Sequence, residues 1–230
     1  MNKSLFISFA LLLSTANTIL CVDIASLSTS YTLSNGTTIT LKQGDISKST
    51  TEVIVVPSNP QLCPEAGAGK ALLAKAGREG ILAECQKDNP LQDDVYFIGE
   101  DGNTYTYPNV RCQAGNVVVT GSGALEEQGV KHLIHAVGPI MEVNKAALLA
   151  AVYANALQAA EREKLSSITF PAIATGAHGF PLAEATKIAL TTMRDHFAHS
   201  QTSSVKNVQC VFFSEQDYKT AEKTGADILN

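Results

Sequence analysis

Ser167-Ile-Thr-Phe-Pro-Ala-Ile-Ala-Thr-Gly-Ala-His-Gly-Phe-Pro181 begins as an apolar strand and passes through a glycine-bearing loop. It then meets Leu182 to Phe197, which reads as a long helix. The same succession occurs earlier in the chain. Val53 to Val56 (VIVV) is a continuous apolar run, the pattern of a strand buried on both faces, and Pro57 ends it. Gly67 to Ala76 (GAGKALLAKA) reads as a glycine-rich entry into a helix, with Gly77 at its stop.

Working outward, Ile39 to Leu41, Asn116 to Thr120 (NVVVT), His132 to Val137 (HLIHAV) and Val208 to Phe213 (VQCVFF) read as further strands. Lys145 to Glu163 reads as a long helix, and Ser214 to Thr224 as a C-terminal helix capped by Ser214. Strands alternate with helices through mostly short links. That calls for an α/β fold with a mainly parallel sheet covered by helices on both faces. In such sheets ligands sit beyond the carboxyl ends of the strands.

Two stretches depart from this rhythm. Residues 22–37 are rich in Ser and Thr around an Asn35-Gly36 turn, which suggests a leader arm and a short hairpin. Residues 86–115 are polar and irregular, and there Val95 to Ile98 and Thr104 to Tyr107 flank Asp101-Gly102 as a second hairpin. This insertion either flanks the cleft and presents Tyr105 and Tyr107 to a partner, or is a solvated excursion.

The chain has 230 residues, 45% hydrophobic and 17% charged, which fits one globular domain and argues against disorder. A net charge of −5 and the lack of any basic block exclude a duplex nucleic-acid footprint. They do not exclude a nucleotide, because backbone N–H groups can hold phosphates without Lys or Arg. Lys3 precedes the apolar run Leu5 to Leu13, and small residues follow at Ser14, Thr15 and Ala16. This is the layout of a secretory signal, and the run is too short for a membrane span. The expected organisation is a signal peptide and leader at 1–25 and a single domain at 26–230. The chain is then exported or secreted, with no membrane span after signal removal. Cleavage falls after Ala16 or after Ala25, and the competing reading is a buried N-terminal helix. The five cysteines, Cys21, Cys63, Cys85, Cys112 and Cys210, show no metal-ligand spacing, so no metal site is expected. Either Cys85 and Cys112, which bracket the insertion, form a bond, or all five stay thiols.

Two loops can carry chemistry. The first runs from Asn59 to Leu72 and the second from Pro171 to Pro181, each between a strand and a helix. Neither is a P-loop or a GxGxxG turn, and no GxSxG elbow is present. Each either aims free N–H groups at an anion or is only a tight turn; side by side, the pair would suit a diphosphate.

From Ile39 to the C-terminus, the order of segments resembles the macrodomain family. Gln43-Gly-Asp45-Ile46 resembles its GDI segment, and Val53 to Asn59 (VIVVPSN) the strand that ends in an asparagine. Gly67 to Leu72 resembles its first phosphate loop, and Val118 to Leu125 its TxG…L segment. His132 to Pro139 resembles IHxVGP, and Phe170 to Pro181 resembles PAxSTGxxGxP. The last two are the specific matches. The resemblance implies a three-layer α/β/α sandwich with a mixed, mostly parallel central sheet. It also implies a monomer without a cofactor, with ADP-ribose or an ADP-ribosylated protein as partner.

The resemblance also implies roles. Asp45 would accept a hydrogen bond from the adenine amino group, with Ile46 beside it, and Phe213 would stack on the adenine. Asn59 would contact the distal ribose and orient the sugar and water. The backbone of Gly67, Ala68 and Gly69 would wrap the diphosphate and distal ribose, with that of Thr175, Gly176, Ala177, His178 and Gly179. The residue types alone leave plainer readings open. Asp45 suits a turn or cap, Asn59 a turn before Pro60, and Phe213 the core. His178 stands where many members carry Tyr or Phe; it either packs, contacts the ribose or moves protons. His135 reads as structural. The best-understood hydrolase branch carries GGGGVDG in the first loop, with an Asp that assists catalysis. Counted from Asn59 that position is Gly69, and Pro64, Glu65 and Ala66 break the glycine run. Glu65 either substitutes as an acid, points to solvent or repels a diphosphate. The resemblance thus implies a hydrolase acting at the distal ribose of a protein conjugate or a small ADP-ribose ester or phosphate. The alternatives are a non-catalytic reader, or an α/β domain for another nucleotide.

Overall fold

The structure is a computed structural model that describes residues 27–200 and 202–229. The expected signal and leader at 1–25, and Cys21, lie outside the described residues. Among the described residues nine strands and five α-helices follow in order: β1 (Ser28–Thr32), β2 (Thr38–Gln43), β3 (Val53–Ser58), α1 (Gly67–Ala76), α2 (Arg78–Asp88), β4 (Val95–Ile98), β5 (Thr104–Tyr107) and β6 (Val117–Gly121). Then come β7 (His132–Val137), α3 (Lys145–Arg162), β8 (Ser167–Pro171), α4 (Leu182–His199), β9 (Asn207–Phe212) and α5 (Glu215–Leu229).

Seven strands form one sheet in the order β1-β2-β9-β8-β3-β7-β6. The five inner strands are parallel, and β1 and β6 close the two edges antiparallel. The VIVV run explains the layering. Val53 and Val55 enter one core with residues of α3, α4 and α5, while Ile54 and Val56 enter a second core with α1 and α2. All four are fully buried, and each contributes about 1.5–3 kcal/mol by leaving water. The result is the expected three-layer α/β/α sandwich.

β3 and β8 decide where the cleft opens. β3 pairs with β7 along its whole length, from Val53 to Ser58. It pairs with β8 only at Val53 and Ile54, then the two splay apart. Pro57 and Pro171 lie in the splayed halves and have no N–H for a ladder. The chain leaves β3 toward α1 on one face and β8 toward α4 on the other. Adjacent parallel strands whose helices go to opposite faces leave a crevice at their carboxyl ends.

Three details differ from the sequence reading. α2 was not expected: only Ile81 and Cys85, one turn apart, are buried in it, so it carries little apolar periodicity. Its last turn takes up residues 86–88, so the insertion starts later than expected. In the β4–β5 hairpin, Tyr105 and Tyr107 do not face outward. They stack on Phe97, while Tyr96 and Ile98 face solvent. Cys63, Cys85, Cys112 and Cys210 are unbonded. Of the two alternatives for Cys85 and Cys112, the bond is not made; burial pushes these two thiols up to about 12 and about 11. Ser214 does cap α5, its hydroxyl accepting from Asp217 N–H at 3.0 Å.

Candidate functional site

A cleft of about 720 Å³ lies over the carboxyl ends of β2, β9, β8, β3 and β7. Crossing it spans four inter-strand spacings, roughly 19 Å. One end lies over β2 and β9, the middle over β8 and β3, and the far end over β7.

At the first end Asp45 and Phe213 are neighbours, because β2 and β9 pair Gln43 with Phe212. Phe212 is buried and takes the core place, while Phe213 is 81% exposed and lines the cleft. Asp45 caps a 3-10 turn, Ile46–Lys48, and its Oδ1 accepts from Ser47 N–H at 2.9 Å. Burial acts to raise the Asp45 carboxyl, but Ser47, Lys48 and Lys75 together hold it below its ordinary value. Asp45 is therefore an ionised acceptor beside an exposed ring. Lys75 on α1 ties the same turn down by donating to the Ser47 carbonyl at 2.6 Å.

Both central loops carry a non-glycine residue in the left-handed region at their fourth position, Leu62 at φ 58 and Ala174 at φ 64. Such backbone costs about 1–3 kcal/mol per residue and persists only where surroundings enforce it. In the first loop the enforcement comes from side chains. Asn59 Oδ1 accepts from Cys63 N–H at 2.8 Å, and Nδ2 donates to the Cys63 carbonyl at 2.9 Å. Arg78 on α2 donates to the Pro64 carbonyl at 3.0 Å and to Glu65 at 2.5 Å. The Cys63 thiol and Arg78 hold Glu65 below the usual carboxylate range, so it stays ionised and paired instead of serving as an acid. α1 then starts at Gly67 with Ala66 as its N-cap and no side-chain cap bond. Its first N–H groups are thus uncapped at the cleft, where an anion is favoured.

The second loop is held by backbone and by the floor beneath it. The Tyr153 hydroxyl, fully buried, accepts from Ile173 N–H at 3.2 Å. The Thr175 hydroxyl donates to the Ala172 carbonyl at 2.9 Å, and Phe180 N–H returns to the Ala174 carbonyl at 3.0 Å. The N–H groups of residues 174–178 take no acceptor among the described residues. These five residues line the cleft, so their N–H groups are a second set of donors available there to an anion.

At the far end His178 lines the cleft and bonds through Nδ1 to the Pro139 carbonyl at 3.0 Å. His135 lies elsewhere, buried in β7, with Nε2 at 3.0 Å from the Thr120 hydroxyl. Burial lowers its pKa to about 4, which keeps it neutral and structural.

Of the residues named from the sequence, Asp45, Ile46, Asn59, Gly67, Ala68, Thr175, Gly176, Ala177, His178 and Phe213 line the cleft. Gly69 and Gly179 do not. A Cβ on Gly69 would lie 2.2 Å from the Pro57 carbonyl oxygen and 2.8 Å from Pro64 Cβ. Gly69 thus seats α1 against β3, and any side chain at this position needs the Pro57–Pro64 segment to shift. Gly179, at φ +69, donates its N–H to Gly176 and turns the chain toward α4. Sequence reasoning missed Arg78, Tyr153 and Glu142, whose roles depend on contacts far along the chain.

A mixed sheet between two helical layers, with uncapped N–H groups gathered over its central crevice, defines an α/β sandwich with an anion-receiving cleft. The chain belongs to the Macro domain family, whose description residues 55–189 match. It is 35% identical over 188 residues to a Macro domain-containing protein of Listeria monocytogenes, covering 80% of this chain and 95% of the relative. It is 33% identical over 183 residues to an O-acetyl-ADP-ribose deacetylase of Cronobacter turicensis, covering 78% and 91%. Among solved structures, the Oceanobacillus iheyensis macrodomain with ADP superposes with a TM-score of 0.72 at 31% identity, covering 88% of this chain and 96% of that one.

Proposed function

We propose that this chain binds ADP-ribose and hydrolyses an ester of its distal ribose, either a small O-acyl ester or the ester that links it to a protein carboxylate. The observation that carries the reading is the pair of N–H-rich loops facing each other across the β3–β8 crevice. They lie between an adenine-sized platform at Asp45 and Phe213 and a polar far end at His178. The diphosphate would take the uncapped N–H groups, which need no basic side chain. Asp45 would accept from the adenine amino group, and Phe213 would stack on the base, a contact worth about 1–3 kcal/mol. The distal ribose would then lie near Asn59 and His178. The relative named for deacetylation of O-acetyl-ADP-ribose supports the ester as substrate.

A second reading, a reader without turnover, is favoured by two observations. Gly69 stands where the hydrolase branch carries its assisting Asp. The Asn59 amide is also engaged with Cys63, which leaves it fewer groups for sugar and water. Incubation with O-acetyl-ADP-ribose and with a mono-ADP-ribosylated protein separates the two. Release of free ADP-ribose supports the hydrolase, and tight binding without release supports the reader. We also infer export, from Lys3 and the apolar run Leu5 to Leu13. Retention of the full 230 residues inside the expressing cell would contradict it.

A further inference from the structure

The two nitrogens of His178 stand in different settings. Nδ1 lies 3.0 Å from the Pro139 carbonyl oxygen. A carbonyl only accepts, so Nδ1 carries the proton, and the neutral ring keeps its lone pair on Nε2. Nε2 has no partner among the described residues, and the side chain lines the cleft. Pro139 follows β7, so this lone pair sits at the end of the cleft farthest from Asp45 and Phe213.

The carbonyl that orients the ring is itself held from the insertion. Glu142, only 3% exposed, accepts from Ile140 N–H at 2.7 Å through one oxygen. Its other oxygen accepts from the Tyr107 hydroxyl at 3.1 Å. Burial and the Glu142 charge push Tyr107 well above its ordinary value, so it remains a donor. The hairpin pairs with the same segment through Val143 N–H to the Ile98 carbonyl and Glu100 N–H to the Met141 carbonyl, both 2.9 Å. The contacts thus run from Tyr107 through Glu142 and residues 139–140 to His178. The insertion is fastened, through Glu142, to the peptide whose carbonyl holds the His178 ring.

We infer that His178 Nε2 is the general base of the ester hydrolysis, and that Tyr107 and Glu142 are positioning residues that fix its tautomer. This rests on the hydrolase reading above. In the first step Nε2 takes a proton from water as the water oxygen bonds to the acyl carbon. The tetrahedral species then collapses: the bond from acyl carbon to ribose oxygen breaks, and Nε2–H returns the proton to that oxygen. The products are a carboxylic acid and ADP-ribose, and water is the only co-reactant. The charged groups on and against the segment that holds His178 are Glu142 and Lys145 after β7, and Glu100, bonded to Lys145 at 2.8 Å. Across the cleft stand Glu65, paired with Arg78, and at the distant end Asp45 and Asp217.

The test compares the full chain with His178→Phe and Tyr107→Phe, using O-acetyl-ADP-ribose across pH and ADP-ribose binding as a control. Phenylalanine keeps a ring against the sugar, so His178→Phe should still bind ADP-ribose. Its kcat should fall by about a hundredfold or more, and the acidic limb of its kcat/KM profile should vanish. Tyr107→Phe should lower kcat by about tenfold with KM little changed, and imidazole nitrogen NMR should show the His178 tautomer becoming mixed. Equal kcat and an unchanged acidic limb in His178→Phe would overturn the base while leaving the hydrolase reading intact. A wild-type chain that binds ADP-ribose but cleaves no ester would overturn both.

Discussion

The two ends of the same three strands, β3, β7 and β8, treat backbone N–H groups in opposite ways. At the amino end Glu52, just before β3, accepts from Ser166 N–H at 2.5 Å and from the Ser166 hydroxyl at 2.8 Å. Its other oxygen accepts from Lys131 Nζ at 2.6 Å, just before β7. Those strand starts are stapled by a carboxylate the chain supplies itself. At the carboxyl end the first turn of α1 has no side-chain cap, and the N–H groups of residues 174–178 take no acceptor among the described residues. The contrast suggests that the phosphates of a ligand would do at one end what Glu52 does at the other.

Four changes break or sharpen this contrast. The largest effect is expected at Gly69. Gly69→Asp places a side chain into the Pro57 carbonyl and Pro64, and should destabilise the fold by roughly 3 kcal/mol, read by thermal unfolding. Unchanged stability would mean that α1 does not press on β3 here. Next is Gly176, where a Cβ meets nothing within 4 Å in the free protein. Gly176→Val should leave stability intact and weaken ADP-ribose binding by about a hundredfold, because the new side chain fills the space the diphosphate needs. Full affinity in a folded variant would remove the second loop from the site.

Asp45→Ala should weaken binding by about 2 kcal/mol, the order expected for losing a charged hydrogen-bond partner. The wild type should show the same preference against an inosine analogue of ADP-ribose; equal affinity for both would argue against adenine recognition by Asp45. The smallest effect is at the amino end. Lys131 and Ser166 hold the Glu52 pKa at about 2, below its ordinary value of 4.5. A depressed folded-state pKa contributes stability above the unfolded value and loses it as pH falls through the folded one. Stability should therefore decline between about pH 4.5 and pH 2, and Glu52→Gln should flatten that part of the urea-unfolding profile. ADP-ribose binding at neutral pH should be unaffected by this change.

Much of the fold was legible because burial on both faces writes a continuous apolar run. VIVV and the Ile168 to Phe170 strand gave the central strands, and the glycines after them gave the loops. α2 was illegible because two buried residues make too weak a stripe. The stacking alternatives at Phe213 could be weighed but not decided, since Phe212 and Phe213 are alike in composition and differ only in which face they take. The unsatisfied N–H groups leave no side-chain trace at all. That Gly69 does not line the cleft is invisible in the sequence, because its constraint, the Pro57 carbonyl, comes from β3. The Glu142 contacts were invisible for the same reason: an acid between Met141 and Val143 looks exposed until the hairpin covers it.

The most direct measurement is a calorimetric titration of the full chain with ADP-ribose, with AMP and NAD as controls. The account predicts micromolar binding of ADP-ribose and much weaker binding of AMP, which lacks the second phosphate and distal ribose that span both loops. A folded chain that takes up no ADP-ribose, or binds AMP equally well, would contradict it.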